Sequence, residues 1–189
     1  MSIILASGSP RRKELMSNIT DSFMIEISDV EEIIPENINP VEASEYLARL
    51  KAESIAEKYK NSGNIIIGCD TAVILDGEIM GKPRNYSQCF DYLSRLSGKM
   101  HIVTTGCCLI MNDNIKSFTE ITQVYFRKLS PDEIRDYIAT GEPYDKAGGY
   151  GIQGKGSIFV EKINGDFFNV MGLPVCRLNL ELKELVKKI

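Results

Sequence analysis

Strands and helices are interspersed along this 189-residue chain, which predicts an α/β fold on a mixed sheet. Three observations carry that expectation. Short β-branched runs such as Ile3-Ile4-Leu5-Ala6 and Ile65-Ile66-Ile67 read as buried strands. Amphipathic stretches of helical period separate them, and the pairs Asp76-Gly77 and Asn164-Gly165 are hairpin signals. A composition of 43% hydrophobic and 25% charged residues excludes disordered, collagen-like and low-complexity architectures. There is no internal repeat or linker, so one compact unit, or two small lobes sharing a core, is expected.

The elements follow in order. After the first strand, Ser7-Gly8-Ser9-Pro10 is a turn with Ser9 as N-cap and Pro10 as first helical residue of a helix to about Asn18. Phe23 to Ser28 reads as a strand leading into an acidic loop, Asp29 to Glu32. Asn39-Pro40 opens the clearest helix, with Ala43, Leu47, Leu50 and Ile55 near helical spacing and Lys58 to Lys60 at its end. Ile65 to Asp70 is expected as a central strand, followed by a hairpin of Val73-Ile74-Leu75 with Glu78-Ile79-Met80. A helix from Ser87 to Ser97 stops at Gly98. Two antiparallel strands follow, His101 to Met111 and Thr119 to Phe126. Ser130-Pro131-Asp132-Glu133 opens a helix that ends at Gly141. After a glycine-rich loop, Ser157 to Ile163 reads as a strand, Asn164-Gly165 as a hairpin turn, and Leu173 to Lys188 as a terminal helix.

A net charge of −4 and a pI near 5.2 argue against a dedicated nucleic-acid or anionic-membrane binder, while leaving room for a local basic pocket. Five cysteines without a C-x-x-C pair, and a single histidine, His101, fit no zinc motif. The thiols read as small, mostly buried hydrophobes in a reducing compartment. The apolar run Met1 to Ala6 has no basic region before it and breaks at Ser7, so it is not a signal peptide. No apolar stretch approaches the roughly 20 residues that span a bilayer. A soluble, cytoplasmic protein is expected.

Gly149-Tyr150-Gly151-Ile152-Gln153-Gly154 matches the letters of the dinucleotide fingerprint. That motif needs a strand before it and a helix after it, and neither is expected here. The near match to a phosphate-binding P-loop fails too, because Gly156 stands where a Ser or Thr must ligate magnesium. The loop reads either as a tight structural turn or as a ligand contact, with backbone N–H groups for an anion and Gln153 for a base edge.

The charged residues are more specific. Ser7 to Arg12 joins a strand end to a helix start, where N–H groups and two guanidinium forks suit a phosphate. Arginine there opposes the helix dipole, which tilts the reading from a solvated helix start towards an anionic ligand. Asp70 follows a strand expected to be buried on both faces. It could hold a divalent cation or deprotonate a water, or simply cap the next turn. Lys82 and Arg84 follow within one hairpin. Lys51 and Lys146, taken singly, read as surface lysines, Glu31-Glu32 as a solvated loop unless it folds back beside Asp70, and His101 as structural. Together these residues suggest cleavage of a nucleotide or another phosphoanhydride.

The motifs resemble one family, the Maf (septum formation inhibitor) proteins, which are nucleoside triphosphate pyrophosphatases. The resemblance rests on Leu5 to Arg12, Asp29 to Glu32, Arg49 to Ala52, Gly68 to Thr71 and Gly81 to Pro83. It continues through Leu96 to His101, Asp145 to Gly154 and Val170 to Pro174, colinear over essentially the whole chain. Cys69 and Gly149 stand where the family commonly has alanine. The resemblance implies an elongated, twisted mixed sheet flanked by helices, in two lobes with a central cleft, related to inosine triphosphate pyrophosphatases. It implies one domain over residues 1–189 that cleaves a triphosphate between its α- and β-phosphates. Arg11, Thr71 and Gln153 match the positions that mark the dTTP/UTP-preferring branch. By the same resemblance Ser9, Arg11, Arg12, Lys51, Lys82 and Lys146 surround the triphosphate, and Gln153 and Thr71 read the pyrimidine. Glu32 and Asp70 hold Mg²⁺ or Mn²⁺, and Asp70 activates the water. A homodimer is implied. Two alternatives stand beside this: a noncatalytic nucleotide-sensing regulator of septum formation, and a housekeeping enzyme that removes modified nucleotides.

Overall fold

Ile3–Ala6 forms β1, which pairs in parallel with two neighbours, through Ile3 to Leu5 with β2 (Phe23–Ile25) and through all four residues with β3 (Ile65–Leu75). The computed structural model describes residues 2–60 and 62–187. Met1 of the N-terminal run and Lys188, expected to close the last helix, lie outside the described residues. The remaining strands are β4 (Glu78–Met80), β5 (Met100–Met111), β6 (Asn114–Phe126) and β7 (Val160–Asn164). They form an open mixed sheet of order β2-β1-β3-β5-β6-β7, with β4 antiparallel to β3 off that path. Helices α1 (Pro10–Met16), α2 (Ala43–Ala56), α3 (Tyr86–Leu96), α4 (Pro131–Ala139), α5 (Phe167–Met171) and α6 (Val175–Lys187) complete the fold. Contacts divide the chain into two compact units, the first Met1–Asp70, Thr105–Glu120 and Gly172–Ile189, the second Thr71–Thr104 and Ile121–Met171.

In the first unit α2 lies directly on the sheet, and two glycines allow it. A Cβ at Gly68 of β3 would sit 2.1 Å from the Ala48 carbonyl oxygen, and one at Gly106 of β5 would sit 2.2 Å from the Glu45 nitrogen. Only hydrogen fits there. The contact closes a core of Ile4, Ala6, Ala48, Ala52, Ile55, Ile66, Cys108 and Ile110. Ser9 caps α1 through the Arg12 amide and Pro10 opens it, as the sequence predicts. Four cysteines are buried and Cys176 is exposed. No helix among the described residues is long and apolar enough to cross a membrane.

The second unit is built around rings. His101, Phe126, Tyr150, Phe159 and Tyr137 meet mostly edge to face, with centroids 4.7–6.0 Å apart. His101 is buried and its Nε2 lies 2.7 Å from the Tyr150 hydroxyl. Burial lowers the imidazole pKa to about 4 and pushes the Tyr150 phenol up. The imidazole is packed into this aromatic core, in keeping with its reading as a structural histidine.

Five expectations change. The strand expected from Thr119 begins at Asn114. The strand and hairpin arm expected at Ile65–Asp70 and Val73–Leu75 are one strand, because the polar step at Asp70 and Thr71 does not interrupt the pairing that resumes with β4. The Phe23 to Ser28 strand stops at Ile25. Ser157 to Phe159, read as strand, belongs to a 3-10 turn over Lys155–Phe159, and pairing with β6 begins only at Val160. Asn164-Gly165 makes no hairpin. Gly165 has φ 133°, and the next residue, Asp166, is tied to Thr122 by its N–H and its carbonyl at 3.0 Å each, which turns the chain into α5.

Candidate active site

In the first unit, Lys51 is the hub. It projects from α2, one turn beyond the Ala48 contact with Gly68, and so reaches Asp70, two residues further along the same face of β3. Its ammonium lies 2.5 Å from Asp70 Oδ1 and 2.9 Å from Glu32 Oε1. The lysine side chain is 11% exposed and that of Asp70 14%. The surface reading of Lys51 is therefore corrected: a helix that presses on the sheet carries its neighbouring side chain inward. The acidic loop does fold back. Ser28 Oγ is 2.7 Å from Ser54 Oγ, the Val30 amide donates to Ser28, and Ser54 donates to the Lys51 carbonyl. These hydroxyls pin the start of the loop to α2 and set Glu32 on the lysine. Asp70 is not at a strand end as expected. It stands two residues past Gly68, where the parallel pairing of β3 with Ala6 of β1 ends.

The start of α1 lies in the same unit. Ser7 is buried; its Oγ accepts from the Ser9 amide at 3.3 Å and from Arg12 Nη1 at 3.2 Å. Arg12 Nε donates to the Gly172 carbonyl at 2.8 Å. Arg12 thus braces α1 against the segment before α6. Arg11 occupies the first turn beside it.

The second unit holds the other expected residues. Thr71 directly follows Asp70 on β3. Lys82 is exposed in the loop after β4, and that loop is laced to the glycine-rich segment by the Gly148 amide, which donates to the Gly81 carbonyl at 3.1 Å. Lys146 Nζ donates to the Glu142 carbonyl at 2.7 Å and contacts Asp145 Oδ1 at 2.6 Å; its side chain is 14% exposed. It is more enclosed than a surface lysine. Gln153 is exposed at the tip of a turn.

That turn answers the two motif matches. Gly149 ends the 3-10 turn Ala147–Gly149 and Gly154 precedes the 3-10 turn Lys155–Phe159, with no α-helix N-terminus to receive a pyrophosphate. Its backbone donors do meet an anion, the chain's own Glu142. Glu142 Oε2 accepts from the Lys155 amide at 2.9 Å, and Oε1 accepts from the Gly156 amide at 3.3 Å and the Tyr137 hydroxyl at 2.9 Å. Burial alone would raise this carboxyl pKa; the N–H groups, the Tyr137 hydroxyl and Lys146 hold it below the usual value. Glu142, Tyr137, Ser28 and Ser54 escape a sequence reading, because each acts through a partner distant in the chain or on another element. Among the described residues no three His, Cys, Asp or Glu side chains gather as a metal cage.

Fold and site define an α/β protein with an open mixed sheet, whose buried lysine bridges two carboxylates beyond a parallel strand pair. The family described as Maf-like protein matches residues 2–185. The chain is 49% identical over 180 residues to a protein of Alkaliphilus metalliredigens named dTTP/UTP pyrophosphatase, covering 93% of this chain and 92% of that one. It is 48% identical over 182 residues to a Bacillus cereus protein of the same name, covering 96% and 94%. A solved HAM1 protein from Coxiella burnetii shares the fold, with a TM-score of 0.52 over 97% of this chain and 99% of that one at 15% identity. The chain belongs to the Maf-like protein family.

Proposed function

We propose that this protein is a nucleoside triphosphate pyrophosphatase that converts dTTP, UTP or a modified pyrimidine nucleotide to the monophosphate and pyrophosphate. The observation that carries the reading is the Lys51 bridge, which places Asp70 and Glu32 within 2.5 and 2.9 Å of one ammonium. A carboxylate in that position can take the proton of a water attacking the α-phosphorus, with the pyrophosphate leaving from the opposite side. Lys51 holds Asp70 in place for that transfer, and the cations Arg11, Arg12, Lys82 and Lys146 offset charge on the phosphates. The whole chain acts as one pyrophosphatase domain, and Gln153 and Thr71 discriminate the base.

Glu32 and Asp70 also fit a divalent cation. Two hard oxygen donors converging on one positive group are the donor set Mg²⁺ or Mn²⁺ takes when phosphate oxygens and waters complete its shell. A bound cation of this kind would neutralise phosphate charge in the transition state. Cytoplasmic localisation and a homodimer belong to the same proposal.

Pyrophosphate release from dTTP by Asp70→Asn, with and without metal, tests the reading. A loss of about 10²–10⁴-fold in kcat is expected. Full activity in that variant would overturn it, and a wild type that binds triphosphates without cleaving any would make the protein a nucleotide-sensing regulator.

A further inference from the structure

The geometry points to Glu142 as the positioning residue of the base-reading turn, a role that sets which nucleotide is accepted. The inference rests on the pyrophosphatase reading, in which Gln153 contacts the base. The turn that carries Gln153 is closed by the Gly154 amide donating to the Gly151 carbonyl at 3.4 Å. Both of its feet are tied to one carboxylate. On one side the Gly151 amide donates to the Tyr137 hydroxyl at 3.2 Å, and that hydroxyl donates to Glu142 Oε1 at 2.9 Å. On the other side the Lys155 and Gly156 amides donate to the two carboxylate oxygens. The carboxylate fills the hollow of the turn so fully that a Cβ at Gly154 would lie 2.4 Å from Oε1.

This arrangement does more than satisfy a loop. It engages the N–H groups that would otherwise be offered to a phosphate, and it leaves the exposed Gln153 side chain as the turn's outward group. A carboxamide distinguishes bases only if its donor and acceptor are held in one orientation, and tolerances for such contacts are about 0.5 Å. Burial and the Glu142 contact push the Tyr137 phenol up, so it remains a donor across the working pH range. The Glu142 backbone carbonyl meanwhile receives Lys146, so one residue orients a base-reading group and a phosphate-facing cation.

Kinetics and amide exchange of Glu142→Gln, Gln153→Ala and the double variant test the inference. Glu142→Gln keeps the side-chain volume but sets an NH₂ against N–H and O–H donors. The expected result is a KM for dTTP raised about tenfold with kcat within about threefold. In the Gln153→Ala background the same change adds little, since the group it positions is gone. Amides at Gly151, Lys155 and Gly156 should exchange faster by more than any fall in melting temperature accounts for. Should Glu142→Gln fail to fold, Tyr137→Phe, which removes only the bridging hydroxyl, should give the same pattern at smaller size. Additive losses in the double variant, a kcat loss at unchanged KM, or unaltered exchange would overturn the inference. If the wild type cleaves no triphosphate, the pyrophosphatase reading falls. The coupling of Glu142 with Gln153 is then read from dTTP binding by calorimetry, where non-additive losses support the positioning role and additive losses overturn it.

Discussion

Each of the two units ties down carboxylates, and they hold them in opposite ways. In the first, Asp70 and Glu32 meet the ammonium of a lysine side chain. In the second, Glu142 meets backbone N–H groups and one tyrosine hydroxyl, all fixed by the chain itself. A side-chain ammonium can shift when a cation or a phosphate arrives; a pair of backbone amides cannot without unmaking the loop. The first arrangement suits groups that act on a substrate, and the second suits a group that shapes what the substrate meets.

The comparison breaks first at Asp70. Asp70→Asn should cost about 10³-fold in kcat while leaving thermal unfolding nearly unchanged, because Lys51 retains Glu32. Gly68→Ala comes next, since its methyl would sit 2.1 Å from the Ala48 carbonyl oxygen and lift α2 off β3. A loss of about 3 kcal/mol is expected from such overpacking, and a fall in melting temperature of roughly 6–12 °C measured by calorimetry. Activity at low temperature should fall as well, because the same helix carries Lys51.

His101 sharpens the contrast within the second unit. Its pKa is lowered to about 4 by burial, against about 6.5 in the unfolded chain. The unfolded state binds the proton first, so the stability is complete above pH 6.5 and is lost as pH falls towards 4. Linkage gives about 2 kcal/mol lost at pH 5. Denaturant titrations at pH 7 and pH 5 should show a loss larger by about that amount in wild type than in His101→Asn. The smallest effect belongs to the exposed Lys99–Asp76 pair, 3.1 Å apart with both side chains at least half exposed. Lys99→Ala should change stability by less than about 0.5 kcal/mol, and less still in high salt.

Much of the fold was legible because it depends on local patterns. Ser9-Pro10 starts α1, Ser130 and Glu133 form the capping box of α4, and Asp76-Gly77 turns β3 into β4. The misread segments are those where a distant partner overrides local preference. Ser157 to Phe159 looks extended but coils, because Gly154 and Gly156 lead into it and β6 offers pairing only from Val160. Gly165 looks like a hairpin turn but answers to Thr122, 43 positions earlier in the chain. At the site, the residue types were legible and their partners were not. Lys51 reads as a solvated lysine until the close approach of α2 at Gly68 buries its stem.

By itself the sequence determined the α/β class, the order of elements and the family, since periodicity, caps, turns and colinear motifs are local properties of the chain. Tertiary structure alone decided that Lys51 joins Asp70 to Glu32 and that Glu142 fills the glycine turn. Those contacts span from 5 to 19 positions and depend on helix-to-sheet distance and loop closure, which no local pattern encodes.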